Sequence, residues 1–131
     1  MINIAREKRA GAVTAIEFVQ ALVDRFPVLR PDLEAHMVNW GLSPHVWFGV
    51  GEGFTDRIVE AYLRDGEDDL DWRGVLDYFD ERFDRGDREV DEVLLGEFLY
   101  RLPWPGQPGY GLTGRLPERL RARFDLMRPL G

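Results

Sequence analysis

Two histidines, one serine, three threonines and no cysteine bound the nucleophilic and metal chemistry open to this 131-residue chain. Without cysteine, disulfides, thiolate zinc sites and thiol nucleophiles are excluded. His36 and His45 lack the His-x-x-x-His spacing by which one helix holds zinc. His36 follows Glu34 by two residues, which places the pair on different faces of a helix. Each histidine reads as an ordinary structural or surface imidazole, with His45 after Pro44 placed to cap backbone groups or line a pocket. Ser43 precedes Pro44 as an N-cap would, and no Gly-x-Ser-x-Gly elbow surrounds it. Thr14, Thr55 and Thr113 read as caps or turn residues. Acid–base or glycosidase chemistry needs two carboxylates at the right separation, but with 24 of them the pattern selects no pair.

Ion-binding loops fail on spacing. An EF-hand loop requires glycine at its sixth position, where counting from Asp65 finds Leu70 and from Asp80 finds Arg85. Gly49, Gly51 and Gly53 alternate, but they lack the lysine and preceding strand of a phosphate loop, and Glu52 would repel phosphate. We therefore expect no metal, no cofactor and no catalytic residues.

Charge is the strongest signal. Fourteen acids and four arginines lie between Asp65 and Glu97, a formal charge of −10 within a chain of net −7. Such a field favours a basic partner and repels nucleic acid and anionic membrane. Arg115, Arg119, Arg121, Arg123 and Arg128 form a modest basic group near the C-terminus, suited to pairing with that acidic centre in cis or across a dimer. No apolar run approaches the ~18 residues of a membrane span. Absence of cysteine suits a reducing cytoplasm.

The elements that must carry these groups are helical. Thr14 and Glu17 form a capping-box pattern ahead of an apolar stripe of Ile16, Val19, Leu22, Val23 and Phe26, stopped by Pro27. A second helix starts at Pro31, carries Leu33, Met37, Val38 and Trp40, and ends at Gly41. Ser43-Pro44 opens a short helical turn, followed by an irregular glycine link and a helix from Thr55 to Arg64 with Ile58, Val59, Tyr62 and Leu63 inward. Asp69 or Asp71 caps a helix with Trp72, Val75, Leu76, Phe79 and Phe83 inward, and Asp77, Asp80, Glu81 and Asp84 facing water. Asp87 caps a helix to about Leu102, with Val90, Val93, Leu94, Phe98 and Leu102 inward and Leu95 and Leu99 widening the face. The proline- and glycine-rich stretch 103–111 is a loop bearing Trp104 and Tyr110. A last helix from Arg115 or Pro117 to Met127 buries Leu116, Leu120, Phe124 and Met127. The prediction is an all-α fold: one domain over residues 1–131, a compact bundle of five to six helices or stacked helical hairpins, with residues 1–12 as an N-terminal arm.

Three stretches, Pro44-His45-Val46-Trp47-Phe48-Gly49, residues 91–102 and residues 116–124, together resemble small acidic all-helical bacterial proteins. Some of these look like immunity proteins of polymorphic toxin systems. The resemblance spans roughly residues 44–124 and implies a protein partner, no cofactor and no catalysis; it transfers no site residue. The function expected is a protein-binding module, an immunity-type inhibitor that covers a basic toxin. The expected contacts are Asp77, Asp80, Glu81, Asp84, Asp87, Glu89, Asp91 and Glu92, with Trp104 and Tyr110 as apolar anchors. Two alternatives stay open: a small-molecule or regulatory domain with a pocket near residues 45–54, and an enzyme using a buried carboxylate pair.

Overall fold

The computed structural model describes residues 12–49 and 53–131. Of the expected N-terminal arm only Ala12 falls among them, and residues 50–52 of the glycine link lie outside. Thr14 begins α1 (Ala15–Arg25): its hydroxyl accepts from the Glu17 amide and the Glu17 carboxylate accepts from the Thr14 amide, so the capping box forms as expected. Its buried face is Ala15, Phe18, Val19, Leu22 and Val23. Ile16, placed inward from sequence, is exposed, because Phe18 takes the stripe to the other side. Pro27 opens a single 3₁₀ turn (Pro27–Leu29) that leads directly into α2 (Arg30–Trp40).

In α2 only Leu33 is buried. Met37, Val38 and Trp40 are exposed, Val38 at 83% and Trp40 at 59%. The apolar residues of this helix point around its circumference, so packing selects just one of them. Gly41 ends the helix at φ 68°, a backbone angle that favours glycine. The short α3 (Pro44–Gly49) buries Trp47 and Phe48, and α4 (Phe54–Leu63) starts one residue earlier than expected and leaves Leu63 exposed.

Asp71 caps α5 (Trp72–Arg82) by accepting from the Gly74 amide. Trp72, Val75, Leu76, Phe79 and Phe83 are all buried, as their spacing predicts. Phe79 sits at the centre of the aromatic core, within 6.0 Å of the Phe18, Phe48, Phe54 and Phe98 ring centroids. The following segment runs as α6 (Arg88–Glu92) and then widens into a π-helix (Val93–Leu99). The Tyr100 amide donates to the Leu95 carbonyl five residues back, the hydrogen-bond interval of a π-turn, and Val93, Leu94, Phe98 and Leu99 are buried. The Glu97 carbonyl accepts the buried Thr55 hydroxyl at 2.7 Å, tying this helix to α4.

Residues 103–109 form turns, after which a 3₁₀ helix (Tyr110–Arg115) replaces the expected continuation of loop. Helix α7 (Glu118–Met127) then packs on α5. Among the described residues there is no strand, and the all-α prediction holds. No described helix is long and apolar enough to cross a membrane.

Arg128 closes the C-terminal end. It is buried, and its guanidinium donates to the main-chain oxygens of Leu99, Leu102, Pro103 and Gly131. These include carbonyls that the end of the preceding helix would otherwise leave unpaired. Trp104 stacks on the same group, its ring centroid 3.6 Å from the guanidinium carbon. Burial pulls the Arg128 pKa down, while the Tyr110 and Tyr100 hydroxyls act in the opposite sense. Replacing Arg128 with Met should lower unfolding stability in urea by about 3 kcal/mol, since several buried carbonyls lose their donor; Lys should restore only part of it.

Candidate functional site

The acidic residues from Asp77 to Glu92 divide into two groups by what their carboxylates touch. Four are engaged in holding helix starts and turns. Asp87 is buried and accepts from the Val13 amide at 2.7 Å, and Glu89 accepts from the Ala15 amide at 3.0 Å. Together they fasten the first turn of α1 onto the start of α6. Asp80 accepts from the Leu120 amide at 2.9 Å and so caps α7 from a neighbouring helix. Asp91 accepts from the amide of Asp84, whose φ of 61° marks the turn after α5. Helix N-termini favour carboxylates because their amides lack partners and the helix dipole is positive there. The structure thus engages within the fold four carboxylates that the sequence suggested as partner contacts. Asp87 stands at the N-cap position of α6 as expected, but its side chain serves α1 rather than its own helix.

The second group is exposed. Asp77 and Glu81 lie one turn apart on α5, Asp84 follows its end, and Glu92 lies on α6, at 3.8 Å from Arg88. The side chains of Asp77, Glu81 and Asp84 form no hydrogen bond or ion pair among the described residues. Trp104 is half-exposed, at 43%, and Tyr110 half-buried. Among the described residues none of the C-terminal arginines forms an ion pair with the acidic centre, so the pairing expected in cis is not found. Arg119 donates to the Asp80 main-chain carbonyl at 3.4 Å, and Arg123 lies over the Phe83 ring, its charge opposing the rise of the Asp91 pKa. Arg121 instead pairs with Asp125 on its own helix.

The carboxyl pKa values follow these contacts. Asp91 is raised, first by burial and then by repulsion from Asp84 and Asp87. Asp68 is lowered: burial alone would raise it, but the Leu70 amide and the Arg57 guanidinium outweigh that. Asp65 is lowered by its hydrogen bonds from Arg73 and Trp72. No three His, Asp or Glu side chains among the described residues are grouped to hold a metal ion.

A second feature has one wall, on α2, that the sequence did not indicate. A cleft of about 480 Å³ opens between α2 and the start of α4. Its lining includes Asp32, His36 and Trp40 from α2, Trp47 from α3, and Phe54 and Arg57 from α4. Gly53 lets the chain turn there, since a Cβ would collide with the carbonyl oxygens of Trp47 and Phe48. The expected pocket near residues 45–54 thus finds Trp47, Gly53 and Phe54 in its wall, while His45 is exposed and outside it. The histidine in the cleft is His36, stacked on Trp40 with 6.5 Å between ring centroids. Its Nε2 is buried and has no hydrogen-bond partner among the described residues, and burial lowers its pKa.

No protein-family model matches the chain, and no curated protein or solved structure matches it either.

Removing the Asp80 carboxylate (Asp80→Ala) should cost about 1 kcal/mol in chemical denaturation, the usual value of a lost cap, whereas Asp77→Ala should fall within ~0.5 kcal/mol of wild type. Asp91→Asn keeps the acceptor for the Asp84 amide and removes the charge. A carboxyl whose folded pKa is raised destabilises the fold wherever it is ionised, so its penalty develops as pH rises above the ordinary value of 3.8. Asn should therefore stabilise the protein at pH 7, and denaturation at a series of pH values should show the gain vanishing below about pH 4.

Proposed function

We propose that this chain is a protein-binding module that covers a basic partner protein, in the manner of an immunity protein on its toxin. The observation that carries this reading is the set of exposed carboxylates Asp77, Glu81, Asp84 and Glu92, none of which caps a helix or turn of the fold. Such an edge, in a chain of net −7, steers a cationic surface inward and occupies groups that would otherwise hold phosphate. Trp104 adds a rigid apolar anchor, because Arg128 fixes its ring from beneath while its outer face meets water. The role is non-catalytic. A cytoplasmic partner fits a chain without cysteine.

A second reading, a small-molecule or regulatory domain, is favoured by one observation: the aromatic-walled cleft holding the unpartnered His36 nitrogen.

The first reading is tested by capture from the native host's lysate at low and high salt, followed by charge reversal. The triple variant Asp77→Lys, Glu81→Lys, Glu92→Lys should keep its unfolding midpoint and lose the captured basic protein by at least ~100-fold in affinity. Retention of the same protein at unchanged affinity would refute the acidic-edge interface.

A further inference from the structure

The cleft between α2 and α4 combines four features that favour one ligand chemistry. Its floor is aromatic: Trp47 and Phe54 are buried and stacked, with 4.7 Å between their ring centroids. Its rim is an indole face, since Trp40 stacks on His36 yet remains 59% exposed. Its polar groups are mixed: the Asp32 carboxylate stands beside the Arg57 guanidinium and Asn39. Asp32 contributes one carboxylate oxygen to Arg57 at 3.3 Å, and its second oxygen has no partner among the described residues. His36 backs the Trp40 ring, with its own Nε2 buried.

The local charge has the same sense. Arg57 is shared between Asp32 and Asp68, the latter at 2.9 Å, so two carboxylates surround one guanidinium. A neutral imidazole at His36 adds no positive charge. An anion would meet Asp32, the indole face and the protein's overall negative field. A cleft of this size, with aromatic and charged side chains together in its wall, has the dimensions of a ligand site.

We infer that this cleft binds a planar cation, a guanidinium or amidinium group that stacks on Trp40 and donates to the free carboxylate oxygen of Asp32. The same chemistry can arrive as a free aromatic amidine or as an arginine side chain of a protein, and the probes separate these sources. The inference rests on the cleft reading and not on the acidic edge, so the triple lysine variant should bind the probes like wild type.

Benzamidine, N-acetyl-arginine amide and AMP are titrated separately into the full chain, with binding read by calorimetry and by the imidazole ¹⁵N shift of His36. Saturable binding of either cation with movement of the His36 resonance, and none by AMP, is the expected result. Preference for benzamidine indicates a free aromatic cation, and preference for the arginine amide indicates a protein side chain. Trp40→Ala, a substitution at a largely exposed position, and Asp32→Asn should each weaken the preferred cation by about tenfold or more. His36→Phe keeps the ring that backs Trp40 and should leave the affinity near wild type. Absence of saturable binding by both cations, binding of AMP, or unchanged affinity in both the Trp40 and Asp32 variants would overturn the assignment.

Discussion

Carboxylates from the acidic segment accepting hydrogen bonds from amides of distant helices are the constraint on which the rest of this bundle depends. Asp87 and Glu89 hold the start of α1, and Asp80 holds the start of α7. In sequence these contacts join residues 74 and 40 positions apart, so they fix the first and last described helices against the α5–α6 pair. The aromatic core around Phe79 supplies most of the burial, but apolar contacts are non-directional. The capping carboxylates add direction, because each must meet a particular amide with little angular freedom.

The opposite end is secured by an inverse device. There a buried cation, Arg128, gathers main-chain oxygens from the end of the π-helix and from its own following turn. Negative groups at helix starts and a positive group at a helix end both complement the helix dipole. The chain's charge asymmetry, acidic from 65 to 97 and basic toward the C-terminus, is in part this pattern written in sequence. It leaves an exposed remainder on α5 and α6, and that remainder is what a partner could meet.

Local signals were read correctly where a single element decides the outcome. The capping box at Thr14, the stop at Pro27, the Gly41 terminus and the inner face of α5 depend only on neighbours in sequence. Misreadings fell where tertiary packing decides. Ile16 and Leu63 have apolar side chains at plausible inward positions, yet no neighbouring element covers them. The π-helix is set by a five-residue hydrogen-bond interval, which apolar spacing read as an ordinary helix does not reveal. The structural roles of Asp80, Asp87, Glu89 and Asp91 were invisible, because an acid exposed on its own helix looks the same whether or not a distant amide reaches it. Likewise, no spacing joins His36 to Trp47 and Arg57; only the α2–α4 approach does.

A chain that spends much of its acidity on its own backbone is a less uniform acidic surface than its composition suggests. Its candidate contacts are correspondingly fewer and more sharply placed, and the cleft beside α2 is a separate opportunity with different chemistry. The most direct test of the central constraint is native-state amide hydrogen exchange at Val13, Ala15 and Leu120. If carboxylates hold these amides, they should exchange slowly, and Asp87→Ala, Glu89→Ala and Asp80→Ala should each release its own amide by at least ~10-fold. Exchange at the rate of an open chain in the wild-type protein would contradict the account.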